Sequence, residues 1–370
     1  ALTEMGFARE EGLEIRLMRE VSWSNIRDKL ALGLYDAAHL LAPLALAGNL
    51  GLGGPGADLA VPFVLSQNGD VICATDRLLA QAPANGLPRL QRFLAALKAR
   101  AGTRPATLGI PYYFSSHHYL LRYWLACEGL DPDRDVCVQV LPPPLMRDAV
   151  AAGLVDAFMV GEPWGSAAVE AGGCSIVLSS NAIWAAAPEK VLGIRRSWLQ
   201  NQEADCHALL RALHRAARWV SDADNIITLS ELMSQPAYLD LPAELIERAL
   251  TGRLTCTSRG ALARVEHFIQ FHRAATNFPW LSQALWFYDQ MVRWGQVTDS
   301  EANRDIARRV FLPSAYRVAL APMGVDIPSA NAKEEGRLRR PSPAASSDGK
   351  LFLGPDGFCD NKVFDPAPLL

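Results

Sequence analysis

No run in the 370-residue chain is long and apolar enough to cross a bilayer. Ala37–Leu65 comes nearest, and His39, Asp58, five glycines and three prolines break it up. A basic excess is missing too. Lys and Arg number 36 against 39 Asp and Glu, for a net charge of −3 and a pI near 6.2. That balance argues against nucleic acid as a ligand of the main body. The seven cysteines (73, 127, 137, 174, 206, 256 and 359) include no CxxC, no close pair and no cluster with histidine. Such an odd, scattered set leans towards a reducing compartment. There is no GxSxG, P-loop or HExxH, and no two carboxylates stand out as an acid/base pair. The chain is therefore expected not to be an enzyme. It does not open on methionine, and Ala1–Glu11 reads as the end of a helix. An α/β lobe normally begins with a strand, so an N-terminal piece outside this sequence is expected.

What is present starts with a repeat. LALGLYDAAHLLAP at Leu30–Pro43 and VAAGLVDAFMVGEP at Val150–Pro163 share a helix end, Gly-Leu-x-Asp-Ala, a short apolar run and a proline. Gly33 and Gly153 suit the left-handed residue that stops a helix. Asp36 and Asp156 then open strands that Pro43 and Pro163 close. The copies lie 120 positions apart (153 − 33), too far for a solenoid and about right for two related α/β lobes.

Around the repeat the pattern alternates strand and helix. Leu13–Met18 reads as a strand, and Ser22 caps a helix with Trp23, Ile26 and Leu30 on one face. Val61–Leu65 and Val71–Ala74 flank Gln67-Asn68-Gly69-Asp70, a hairpin-type turn. A helix over Leu87–Arg100 precedes a strand at Ala106–Ile110. Ser115 and Ser116 cap the next helix, Val136–Leu141 is a strand, and Leu145–Ala152 a helix. Cys174–Leu178 and Val191–Ile194 are further strands. Beyond Arg195 amphipathic helices are expected around 203–221, 242–251, 260–273, 281–295 and 300–312. Two parallel-sheet lobes with a helical return follow: lobe I at 1–75, a connection at 76–104, lobe II at 105–194, the return at 195–330 and a linker and tail at 331–370. Within that tail Lys333–Arg340 is locally charged.

Gly51-Leu-Gly53-Gly54-Pro-Gly56 matches GxGxxG in letters, but it lacks the strand-then-helix setting, and Pro55 removes an amide that a phosphate would use. It reads as a loop. The candidate site residues stand instead at the ends of elements. Trp23 starts its helix, and Ser116 and His117 start another beside Tyr112, Tyr113 and Phe114. Helix starts of this kind are natural anion sites. Glu162-Pro163-Trp164 closes the second repeat, and Lys190 precedes a strand.

SWSNIRDKLALG, DAAHLLAP, HHYLLRYWLACEGLDPDRDV, GEPWGSAAV, APEKVLG and MVRWGQ together resemble the nitrate/nitrite- and bicarbonate-binding proteins of ABC transporters. The likeness runs from about Gly6 to the closing FCDNKVFDP, and is nearest to the branch that works as a nitrate/nitrite sensor. It implies an α/β fold, a two-lobed periplasmic-binding-protein-like (type II) clamshell that closes on one small oxyanion. Each lobe would be a mostly parallel sheet flanked by helices, with a helical C-terminal half. Carried over, the family's ligand residues are Trp23, His117 with Ser116 beside it, and Lys190, and Asp70 stands where glutamine or asparagine is usual. Glu162, Trp164 and Tyr112 would support them. Lys190 favours nitrate or nitrite, and no cofactor is implied; calcium enters only if the ligand is bicarbonate. Asp70 would repel an anion unless it is paired, protonated or turned away. For the sensor branch the likeness implies a cytoplasmic location and an RNA-binding antiterminator as partner. The alternative is a periplasmic, membrane-anchored lipoprotein that serves an ABC permease. Lys190→Ala is expected to abolish ligand stabilisation, and Glu335→Ala to spare it.

Overall fold

Glycine and proline placement decides where the elements begin and end. The structure, a computed structural model, describes residues 1–83 and 86–370. Contacts divide the chain into two units: Ala1–Gln67 with Ala185–Asn225 and Gln270–Leu370, and Asn68–Trp184 with Ile226–Ile269.

In unit 1 the sheet order is Ala37–Leu41, Pro188–Arg195, Leu59–Asn68, Ile269–Gln270. Pro188–Arg195 runs antiparallel to both of its neighbours. Phe63, Leu192 and Ile194 from these strands pack with Leu210, Phe278, Tyr316 and Leu320. The Tyr316 ring lies 5.8 Å from Phe63 and 5.4 Å from Phe278. Ile327 and Leu353 join the same cluster, so the last part of the chain is packed. Its charged stretch is packed as well. Glu335 is 0% exposed and pairs with Lys333, which also meets Asp356 at 2.6 Å. Glu335→Ala would remove one of the two carboxylates that Lys333 pairs with, so a loss of stability is expected from this change whatever it does to ligand stabilisation.

Unit 2 holds a five-stranded sheet in the order Val136–Val140, Ala106–Ile110, Ala157–Gly161, Asp70–Thr75, Cys174–Ser179. Ala106–Ile110 is parallel to both neighbours, whereas Asp70–Thr75 is antiparallel to both of its own. Both sheets are thus less parallel than expected. The hairpin at Gln67–Asp70 is also corrected. Leu59–Asn68 and Asp70–Thr75 belong to different sheets, because Asn68 (φ 56°) and Gly69 (φ 94°) redirect the chain as it leaves unit 1.

The repeat is a shared structural device. Gly33 and Gly153 have φ of 79° and 69°, a conformation that other residues adopt at a cost of about 1–2 kcal/mol. Three residues on, Asp36 pairs with Arg195 at 3.2 Å, and Asp156 pairs with Arg77 and Arg100 at 3.0 Å each. Each glycine also lies under its arginine: a Cβ on Gly33 would sit 3.6 Å from Arg195, and one on Gly153 3.0 Å from Arg77. Strands Ala37–Leu41 and Ala157–Gly161 follow. Their prolines then start helices, Pro43 in the first turn of Ala42–Asn49 and Pro163 capping Trp164–Ala171.

Two more expectations change. Leu13–Met18 is irregular, because its alternation finds no partner strand among the described residues. The stretch 260–273 is not helical. Gly260 (φ 79°) closes a turn by donating to Thr257 O at 2.9 Å, and Leu262–Arg264 returns antiparallel along Arg253–Thr255. Helices Ile226–Ser234 and Pro313–Leu320 were not foreseen.

In unit 1 His214, buried on helix Glu203–Val220, meets His272 edge to face at 4.8 Å. His272 Nδ1 is 3.1 Å from Asn277 Oδ1, and Asn277 donates to Val64 O at 2.9 Å. Burial, followed by His272, Arg218 and Arg215, lowers the His214 pKa to about 3, and burial lowers His272. The unfolded chain therefore takes up these protons first, near the ordinary 6.5. Stability should fall as pH drops from about 6.5 towards 4, and His214→Leu should flatten that fall. Urea midpoints measured across this range check it; parallel curves for the two proteins would reject the assignment.

Candidate functional site

Helix Trp23–Ala31 starts where Ser22 Oγ accepts from Asn25 N at 3.2 Å, leaving Trp23 as its first residue. The helix is fastened by Arg27, buried, which donates to Gly53 O at 2.6 Å. The GLGGPG segment is therefore a loop gripped by an arginine. The Lys190 ammonium lies 5.4 Å from the centre of the Trp23 ring, close enough for a cation–π contact. Glu189 pairs with the same ammonium. His39 stands 6.1 Å from Trp23. Desolvation, then the Lys190 charge, hold His39 below the ordinary imidazole pKa. The His39 side chain itself is solvent-exposed. Unit 1 thus gathers an indole wall, an ammonium, a neutral imidazole and a carboxylate. His39 and Glu189 were missed as site residues, although both stand inside the quoted DAAHLLAP and APEKVLG.

Unit 2 builds its own polar set. Ser115 Oγ accepts from His118 N at 3.1 Å and donates to Tyr112 O at 2.6 Å. Ser116 and His117 are consequently the first two residues of helix Ser116–Cys127. His117 Nε2 lies 3.1 Å from Asp70 Oδ1, and both side chains are 2% exposed. Asp70 opens its strand opposite Gly161, and its amide donates to Ser180 Oγ at 3.2 Å. A Cβ on Gly161 would sit 3.5 Å from Asp70 Oδ1 and 3.8 Å from His117 Nε2. The glycine keeps that side of the pair uncrowded.

Next to Gly161, Glu162 accepts from Ser166 N with both oxygens at 3.1 Å. Burial pushes its pKa up to about 7, against the Ser166 hydrogen bonds, and the Asp70 charge adds to the rise. Trp164 packs instead on the apolar cluster of Val71, Phe158 and Val169, and Tyr112 leans on Phe114 at 6.3 Å. Trp23 with Lys190, and Asp70 with His117, are therefore the pairs brought into contact. Asp70 and His117 offer one carboxylate and one imidazole, donors that suit a divalent cation as well as a polar ligand.

Residues 1–234 match the NMT1-like family. The chain belongs to that family. Among relatives, the "Nitrate import ATP-binding protein NrtC" of Synechocystis sp. is 33% identical over 326 residues, 87% of this chain and 48% of its own length. The "Nitrate/nitrite binding protein NrtA" of Nostoc sp. is 28% identical over 375 residues, 98% of this chain and 79% of its own. The chain spans about half the length of the NrtC relative. Among solved structures, the periplasmic nitrate-binding protein NrtA from Synechocystis has a TM-score of 0.84 at 24% identity, covering 100% of this chain and 92% of its own. The fold is thus that of periplasmic binding proteins. No described helix is long and apolar enough to cross a membrane.

A carboxyl with a raised folded-state pKa binds its proton more tightly folded than unfolded. As pH rises from about 4.5 through about 7, Glu162 therefore withdraws stability. Glu162→Gln should stabilise the protein more at pH 8 than at pH 5. Equal shifts in urea midpoint at the two pH values would refute this.

Proposed function

We propose that this chain binds one small planar oxyanion, the class of nitrate, nitrite and hydrogencarbonate, and serves as the solute-binding component of an ABC import system. The ligand-contacting residues in this reading are Trp23 and Lys190 from unit 1 and Asp70, Ser116 and His117 from unit 2. The observation that carries it is the Lys190 ammonium over the Trp23 ring, a fixed cation beside a flat wall. The start of helix Ser116–Cys127 supports it, since first-turn amides and the helix dipole favour an anion. Relatives named as nitrate/nitrite binding proteins support the ligand class, and the NrtC relative supports the transport role. No catalytic role is proposed for any of these residues.

A second reading keeps the same ligand and makes the chain a cytoplasmic sensor that acts on an RNA-binding antiterminator. The seven scattered cysteines favour it. Fractionation of cells expressing the complete gene separates the two. A membrane-attached periplasmic product supports import, and a cytoplasmic one supports sensing.

Ligand at about a hundred times its Kd adds roughly 2.7 kcal/mol to stability. Saturating nitrate, nitrite or hydrogencarbonate should accordingly raise the melting temperature, and Lys190→Ala should remove the rise. A melting temperature unmoved by all three anions overturns the ligand class.

A further inference from the structure

Asp70 is the one proposed contact whose charge opposes the ligand. A carboxylate offers only acceptor positions. Oδ1 uses one of them on His117 Nε2 at 3.1 Å. Oδ2 is buried and has no hydrogen-bond partner among the described residues. The side chain is held in place: its strand is paired on both edges, and its amide is fixed on Ser180 Oγ. A buried acceptor without a partner costs about 1–3 kcal/mol, and more when charged. The position is therefore built for a donor that arrives with something else.

We propose that Asp70 makes this site select an oxyanion carrying its own O–H donor, exemplified by hydrogencarbonate, over an equally flat oxyanion without one, exemplified by nitrate. The inference rests on the oxyanion reading above and deepens it. The two anions are both trigonal planar and nearly the same size; hydrogencarbonate has carbon where nitrate has nitrogen, and it alone carries an O–H. Against Oδ2, nitrate sets oxygen lone pairs against oxygen lone pairs. Hydrogencarbonate donates there and still keeps its remaining oxygens free to accept hydrogen bonds. A site built to receive a hydroxyl rejects the analogue lacking it because its own polar group is left unpaired.

The test is calorimetric titration of the full chain at pH 8 with sodium nitrate and with sodium hydrogencarbonate, in EDTA and separately with calcium or zinc. Hydrogencarbonate should bind the unmutated protein roughly 10- to 100-fold more tightly than nitrate in EDTA. Asp70→Asn, which offers an amide N–H in place of Oδ2, should reverse that order. The comparison within the unmutated protein stands whether or not the variant folds. Tighter nitrate binding by the unmutated protein overturns the inference and leaves the oxyanion reading intact. An order unchanged by Asp70→Asn overturns it, as does hydrogencarbonate binding that vanishes in EDTA and returns with the metal, which would make a cation the partner of Oδ2. If neither anion binds under any condition, the oxyanion reading falls and this one with it.

Discussion

A left-handed glycine, a carboxylate three residues later and an arginine laid across both set the geometry of each unit. In unit 1 these are Gly33, Asp36 and Arg195; in unit 2 they are Gly153, Asp156 and Arg77. The ion pairs differ in weight. The Asp36 side chain is mostly exposed, so its charge contributes at most about 1 kcal/mol. Asp156 is better shielded, and it also accepts from Thr107 N at 3.0 Å. Against the desolvation that would raise it, Arg100, the Thr107 amide and Arg77 hold its pKa below the usual carboxylate range. What the two copies share is chiefly steric: the chain must turn sharply from helix into strand beneath a guanidinium, and only glycine does so without strain.

That turn reaches the polar sets through strand register. In unit 1 Ala37 pairs with Ile194 beside the clamp, and the same register sets Leu41 opposite Lys190. Four residues of strand span about 13 Å, so an arginine at one end fixes which residue presents its side chain at the other. In unit 2 Ala157 pairs with Ala74, and Gly161 with Asp70. A slip of one residue would turn every side chain to the opposite face, sending Lys190 away from Trp23 and Asp70 away from His117. Folding and the placement of both polar sets are linked by that parity.

Much of this was legible in the residues because it is local. The repeat, the Ser22 and Ser115 caps and the strand at Ala106–Ile110 all depend on near neighbours in the chain. Failures came where distant partners decide. The alternation of Leu13–Met18 was read as strand, yet alternation specifies a face and not a partner. Asn68-Gly69 carries hairpin chemistry but serves a redirection, since turn residues fix φ and not which strand comes next. Glu335 stands in a stretch that reads only as locally charged; its burial depends on Ser282, which donates to its carboxylate, and on Asp356, which meets Lys333 from farther along the chain. His39 and Glu189 escaped notice for the same reason, as neither has meaning until Trp23 and Lys190 are side by side.

Unit 1 is written in three instalments, with unit 2 filling the intervals. Its sheet needs Leu40 opposite Val191, and its apolar cluster needs Phe63 against Tyr316. On the ribosome, Ala37–Leu41 and Leu59–Asn68 emerge long before the residues that complete them. The closing of so large a loop is entropically slow. Unit 2 has all its parts by Ile269, so it can mature while the first apolar strands of unit 1 still wait. Nascent chains should therefore pass through a half-finished stage in which those early strands depend on chaperone cover, and termination before the final helices would release a sound second unit attached to an unfinished first.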